Sequence, residues 1–488
     1  MKYLSTRGGI TPVNYEQTLF SGYAPDGGLY VPESIPKLDS CTINEWKQSK
    51  QSYTQVVERI ARMFIAEDEI PNQDLAEAVD RAYEKFNIVD KIGFKNLNSA
   101  KGKPFVLAQL YHGQTGSFKD YAMCLVGQLL EYFSRQRNTK TVILVGTSGD
   151  TGSAAMEAIK GLKAVDIVVL FPKGKISLVQ ELQMTSYADK NIHVFAVEGS
   201  SDDLDVPIKQ CFPRENVTSI NSVSWTRVMI QVSRTLLTTS TSTFEMEMKL
   251  MCLYLLALLV TISSLIVYFI QKLKFFDVLG NITAGIIARL MGFPINLYCA
   301  TNANDNVEMF FGSGVYEMGG AVVETPANAM DIRYPYNVER IFYLFTDAQR
   351  TANVVALNKS QISPETKDKI SNFVNGSLKV ETSLINETMK SCWDVNKFVI
   401  CPHTATAVAY FDQYTPSKID KNAYIIATAT PQKFPESCEE AGIRNDAWNA
   451  YALRDSLQLT PKIIPQVMGK DNNWYEMLQE KIVEILGH

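Results

Sequence analysis

Residues 141–171 read TVILVGTSGDTGSAAMEAIKGLKAVDIVVLF. An apolar run, Thr141–Gly146, enters a loop of glycines and hydroxyls. A helical stretch, Ser153–Gly161, follows, and a second apolar run, Asp166–Phe171, closes the unit. Two short apolar runs joined through a helix specify parallel strands, because a parallel return needs a crossover of about a dozen residues. The same grain extends both ways. Phe105–Leu110 and Ile192–Val197 read as further strands, and Lys119–Ser134 and Ser177–Ala188 as further helices. The fold class is therefore α/β, a parallel sheet with helices on both faces. Ligands of such sheets bind at the carboxyl ends of the strands, in the loops that open helices.

Upstream, residues 1–95 read as a small mixed domain punctuated by Gly8-Gly9, Pro12, Ala24-Pro25-Asp26-Gly27-Gly28 and Pro32. Helical spacing predicts two stretches there, Ile43–Ile65 and Asp74–Phe86. Downstream, Ile282–Met291 reads as a helix, Ile295–Ala300 as a strand, and Ala423–Thr428 as a strand before Pro431. The expected division is an N-terminal domain at 1–95, a catalytic α/β domain at 96–234 and 278–435, an atypical apolar insert at 235–277, and a C-terminal helical segment at 436–488.

The 488 residues carry a net charge of −5, with no basic stripe, which excludes a nucleic-acid footprint. The eight cysteines form no Cys-x-x-Cys pair, and with only four histidines no metal spacing appears. Scattered cysteines fit reduced thiols in a cytoplasmic compartment. The first eight residues contain no apolar core of a signal peptide, so none is expected. Nothing in the pattern assigns an oligomeric state.

Two loops carry candidate chemistry. In His112-Gly113-Gln114-Thr115-Gly116-Ser117-Phe118-Lys119-Asp120, a lysine opens a helix. The positive end of the helix dipole disfavours an ammonium there, the direction that Schiff-base chemistry needs. The alternative is a solvated lysine beside a turn. In Gly146-Thr147-Ser148-Gly149-Asp150-Thr151-Gly152-Ser153, small residues let backbone amides converge at a helix start. That reads either as an anion pocket or as a tight capped turn. Asp150 argues against a pure phosphate site.

These motifs, with Tyr3-Leu4-Ser5-Thr6-Arg7-Gly8, Leu19-Phe20-Ser21-Gly22-Tyr23-Ala24-Pro25-Asp26-Gly27-Gly28, Pro335-Tyr336-Asn337-Val338-Glu339-Arg340, Cys401-Pro402-His403-Thr404-Ala405 and Ala427-Thr428-Ala429-Thr430-Pro431-Gln432-Lys433-Phe434-Pro435, resemble the threonine synthase family in order. Within it the resemblance is strongest to the animal threonine synthase-like branch, and it covers nearly all the chain except about 235–277. It implies a pyridoxal 5'-phosphate fold of type II, tryptophan synthase β-like, with two three-layer α/β/α subdomains and a small N-terminal domain. It further implies that Lys119 holds the cofactor as a Schiff base and that Thr428 lies at the pyridine nitrogen. Gly280 and Asn281 would hold the cofactor phosphate. Ser148, Gly149, Asp150, Thr151 and Gly152 would cradle a substrate carboxylate. Lys173 and Lys175 are candidate partners for a substrate phosphate. The implied substrate is O-phosphohomoserine. The expected reaction is phosphate elimination to 2-oxobutyrate, with threonine formation or a non-catalytic relative as alternatives.

The chain departs from the family at the phosphate loop. The family has Pro-Thr-Gly-x-x-Gly-Asn; here the stretch is Phe275-Phe276-Asp277-Val278-Leu279-Gly280-Asn281, of which only Gly280 and Asn281 match. Just upstream, Leu250–Ile270 runs 21 residues without a charge. By length it is a transmembrane candidate. A span would part Lys119 from Thr428, which must share one cofactor. A core helix so uniformly apolar does not suit this fold. The third reading, a segment outside the native coding sequence, is favoured by its replacement of a family block.

Overall fold

The computed structural model describes residues 1–486 except 22, 50, 148, 277–278, 334, 336 and 414–422; between 200 and 272 it describes only 203–204, 207–208, 211 and 229–231. The apolar stretch 250–270, Ser148 and Asp277 thus lie outside the described residues. Among those described, no helix is long and apolar enough to cross a membrane.

A small antiparallel pair, β1 (Tyr3–Ser5) and β2 (Tyr30–Pro32), opens the chain and flanks α1 (Tyr15–Phe20). Where one helix was expected over Ile43–Ile65, two occur: α2 (Ser40–Gln48) and α3 (Tyr53–Phe64). Ser52 breaks the run. Its hydroxyl accepts from the Gln55 amide while the Gln55 side chain accepts from Ser52 N–H, a reciprocal cap that starts a new helix. Helix α4 (Asn72–Tyr83) follows. Tyr53 and Tyr83 pack edge to face at 5.0 Å, and Tyr121 joins them from the next domain.

Among the described residues, six strands make the first sheet; from one edge to the other they are β13 (Gly376–Lys379), β10 (Asn296–Thr301), β9 (Leu273–Phe276), β14 (Ala423–Ala427), β4 (Pro104–Gln109) and β3 (Gly93–Asn98). All neighbours are parallel except β3 on β4, an antiparallel edge the apolar runs did not reveal. Leu273–Phe276, assigned from sequence to the insert, is a strand between β10 and β14, so the chain has rejoined the sheet by Leu273.

The second sheet is β15-β7-β6-β5-β8, built from β5 (Thr141–Gly146), β6 (Val165–Pro172), β7 (Ile192–Val197), β8 (Met229–Gln231) and β15 (Gln466–Met468). Its centre is parallel, and β8 pairs antiparallel to β5. Every residue of β6 is buried, as expected of a parallel strand covered on both faces. The C-terminal segment is not only helical. It supplies β15, parallel to β7, before its last helix Trp474–Leu486 covers that sheet through Leu478 and Ile482. Three residues after Pro465 are too few to show strand alternation in sequence. A separate ribbon pairs β11 (Val315–Glu317) with β12 (Lys359–Gln361).

The N-terminal unit is latched to the rest by Glu339, which accepts from Thr6 Oγ1 and from both Arg7 Nε and NH2 at 3.2 and 3.1 Å. Arg340, fully buried beside it, donates to Tyr30 O and Asn337 Oδ1.

Candidate active site

The carboxyl ends of three adjacent parallel strands, β4, β14 and β9, open on one side of the first sheet. After β4 the chain passes through residues 111–118 and starts helix α5 (Lys119–Gln136), with Lys119 as its first residue. After β14 comes Thr428. After β9 comes helix α8 (Leu279–Met291), with Gly280 and Asn281 in its first turn.

The first two loops are laced together. Phe118 N–H donates to Thr428 O at 2.7 Å, Thr430 N–H donates to Gly116 O at 2.9 Å, and Ser117 bridges Ala429. Lys119 and Thr428 are thereby held side by side. The Lys119 ammonium lies 4.7 Å over the Phe118 ring, half-buried. Thr428 is buried.

From the second sheet, β5 leads through Thr147 and Gly149 into helix α6 (Asp150–Ile159). Thr147 Oγ1 accepts from Gly149 N–H and Gly152 N–H, each at 2.9 Å. Two amides assigned from sequence to a substrate carboxylate are therefore engaged within the loop. The amides of Asp150 and Thr151, first in the helix, have no intrahelical acceptor to meet. Gly149 sits at φ +124°, a region L side chains rarely adopt, and a Cβ there would lie 2.4 Å from Gln180 Cδ. We predict that Gly149→Ala lowers stability by about 2–4 kcal/mol, from backbone strain and overpacking together. Chemical denaturation reads this directly, and a loss under 0.5 kcal/mol contradicts it.

Asp150 does not line the loop as a free acceptor. Its carboxylate pairs with Lys433 at 3.1 Å and accepts from Gln180 Nε2 at 2.9 Å. Burial alone would raise its pKa. Lys433, Lys119 and the Gln180 amide outweigh that and hold it at about 2. Lys433 is fully buried and donates also to Thr115 O at 3.0 Å and Gln183 Oε1 at 2.7 Å, so its three protons meet three acceptors. Asp120, buried behind Lys119, accepts from Thr115 N–H and Oγ1. Burial pushes its carboxyl up to about 6 against those bonds and Lys433.

Sequence reading missed Lys433 and, on helix α7 (Leu178–Thr185), Gln180 and Gln183. A lysine two residues past a proline in a family motif gives no local sign of full burial. Lys173 and Lys175 stand exposed on the turn after β6 and are not drawn into this cluster.

His403, in the first turn of helix Pro402–Gln413, belongs to the same cluster and was given no role from sequence. Burial pushes its imidazole down to about 4; Asp150 pulls up, and Lys119 presses further down. Two opposing pH effects follow. His403 has a lowered folded value, so its contribution to stability is present above the unfolded value near 6.5 and is lost as pH falls towards 4. Asp120 has a raised folded value, so its contribution is present below the unfolded 3.8 and is lost as pH rises through about 6. We predict that His403→Asn, which removes only the first effect, loses less stability relative to the parent at pH 5 than at pH 7.5. The gap should narrow by about 1–3 kcal/mol at 1.36 kcal/mol per pKa unit. Melting curves at the two pH values check it; a gap that widens on acidification refutes it.

Two buried groups at the strand ends have no partner among the described residues: the Asn281 amide, at both Nδ2 and Oδ1, and Thr301 Oγ1 at the end of β10. Buried polar atoms are almost always satisfied, so unmet ones at the mouth of a sheet point to a ligand.

The N-terminal residues 2–83 match the family model "Threonine synthase N terminus". Along its length the chain is 38% identical to "Threonine synthase-like 2" of Rattus norvegicus, covering 99% of this chain and 97% of that one. The chain belongs to the threonine synthase family. Its fold is likewise that of solved threonine synthases. It superposes on the PLP-bound threonine synthase of Brucella melitensis with a TM-score of 0.82, at 27% identity and full coverage of both chains. It superposes on the yeast threonine synthase with a TM-score of 0.82, at 28% identity, covering 99% and 98%. This member of the threonine synthase family therefore has the pyridoxal-phosphate type II fold expected from its motifs.

Proposed function

We propose that this chain is a pyridoxal 5'-phosphate-dependent lyase that acts on O-phosphohomoserine. With one water it releases phosphate, ammonia and 2-oxobutyrate. The observation that carries the reading is the 2.7 Å bond from Phe118 N–H to Thr428 O, which ties the start of α5, where Lys119 stands, to the loop bearing Thr428 at one mouth of the sheet.

The residues fit the cofactor. Asn281 is fully buried in the first turn of α8 with its amide unmet, and first-turn amides with a helix dipole suit a phosphate. Gly280 lies buried beside it without a side chain to obstruct the approach. Lys119 would hold the carbonyl end and Thr428 would face the ring nitrogen, a hydroxyl that leaves that nitrogen largely neutral. When bound, the cofactor supplies an electron sink for carbanion chemistry.

The protein's own groups do the rest. Lys119 would take the substrate's α and β protons, and its amine would return a proton once the phosphate has left. The Asp150 and Thr151 amides and the Thr151 hydroxyl orient the α-carboxylate at the start of α6. The Lys433–Asp150 pair fixes that helix start to the loop bearing Thr428.

Product analysis tests the reading. Purified protein with cofactor and O-phosphohomoserine should release phosphate and 2-oxobutyrate in equal amounts. Threonine as the main product would favour the second reading, that of a synthase, which the match to threonine synthases supports. No phosphate release from cofactor-loaded protein would remove both.

A further inference from the structure

His403 is placed by contacts on three sides. Its Nε2 accepts from Ala329 N–H at 3.0 Å. Its ring lies 5.0 Å from the Phe434 ring, next in sequence to Lys433. Cys401, two residues before it, packs with Ala429 and Phe434. His403 therefore backs on the segment 428–434, which carries Thr428 at one end and Lys433 near the other.

The Ala329 bond decides the tautomer. A neutral ring whose Nε2 lone pair takes an N–H must carry its own proton on Nδ1. Ala329 is itself held. Two residues on, Asp331 accepts from Asn302 Nδ2 at 2.6 Å, Asn304 Nδ2 at 3.1 Å, Thr325 N–H at 2.9 Å and Thr325 Oγ1 at 2.7 Å. The His403 ring cannot easily turn, and Nδ1–H is left as a fixed, buried donor. Among the described residues it meets no acceptor, although the side chain is 2% exposed.

We infer that the His403 Nδ1–H donates a hydrogen bond to an anionic oxygen, phosphate or carboxylate, of the substrate bound over Lys119. This rests on the proposed lyase reading and assigns a contact to a residue that the sequence left without a role. The same geometry excludes His403 as a base. Taking a proton at Nε2 would break the Ala329 bond, and Nδ1 has no lone pair to offer. His403 stays neutral through physiological pH, so it binds and orients without titrating.

Two isosteric variants separate this from a purely structural role. The amide nitrogen of His403→Asn reaches the place of Nδ1, and the side chain of His403→Gln reaches the place of Nε2. Both are made in the full chain and loaded with cofactor. The readouts are competition by inorganic phosphate, competition by L-2-aminobutyrate (which has a carboxylate and no phosphate), cofactor affinity and melting temperature. The Gln variant should bind one of the two probes about 10- to 100-fold more weakly, as for loss of one hydrogen bond to a charged group. The Asn variant should stay within about threefold of the parent on the same scale. The weakened probe names the oxygen. The inference is overturned if Gln binds both probes normally, if Asn fails as Gln does, if Asn alone fails or unfolds, or if cofactor affinity falls in step with probe affinity. A parent protein that takes up no cofactor would instead sink the lyase reading beneath it.

Discussion

Alanine at position 119 should lower phosphate release from O-phosphohomoserine by roughly 10⁴-fold or more, the scale seen when the group that does the covalent chemistry is removed. The visible absorbance of a lysine-linked cofactor should vanish with it. Stability should change little. Lys119 is half-buried at the first position of α5, and its replacement leaves the Phe118–Thr428 backbone bond in place. The field inside the cluster should also shift. Lys119 presses the His403 imidazole down and helps hold Asp150 low, so both should become easier to protonate in the variant. Phosphate assay, absorbance and melting temperature together make the check. Activity within tenfold of the parent would show that the reaction does not pass through this amine.

Lys433→Met should be the most destabilising single change in the site. It leaves the buried Asp150 carboxylate without its ion-pair partner, which costs about 3–5 kcal/mol when one partner of a buried pair is removed. Against a usual total of about 5–15 kcal/mol, that is a large share. It also leaves Gln183 Oε1 and Thr115 O without their ammonium donor. Adding Asp150→Asn removes the stranded charge while keeping an acceptor for Gln180. The double variant should therefore be more stable than Lys433→Met alone, with a coupling of about 1–3 kcal/mol. Denaturant titrations of the parent, both singles and the double measure this. Additive losses would mean that the two side chains do not form the pair that binds α6 to the 428–434 loop.

Strand positions in the doubly covered sheets were legible because such strands are continuous apolar runs. Thr141–Gly146 and Ile192–Val197 occur with the expected ends. Elements whose signal is short or set by partners were not legible. β15 has three residues and acquires its partner from β7, 271 positions earlier. The break at Ser52 was missed because the apolar spacing continues across it while the cap overrides the helix. Gly280 and Asn281, expected in a loop before a helix at Ile282, instead lie in the first turn of a helix that starts at Leu279.

The sequence by itself carried the local features on which the expected chemistry rests: an amine at a helix start, a glycine-and-hydroxyl turn before another, and a hydroxyl after a late strand. Those features are local, written within a few residues, and backbone geometry obliges them to lie at strand ends. Only the tertiary structure decided which charges are neutralised and which donors are left over. Lys433 and Asp150 are 283 positions apart and become a buried pair because two loops close on one another. The free proton of His403 depends on an amide 74 residues away. Burial and pairing are properties of neighbours in space, and no short-range pattern of residues encodes them.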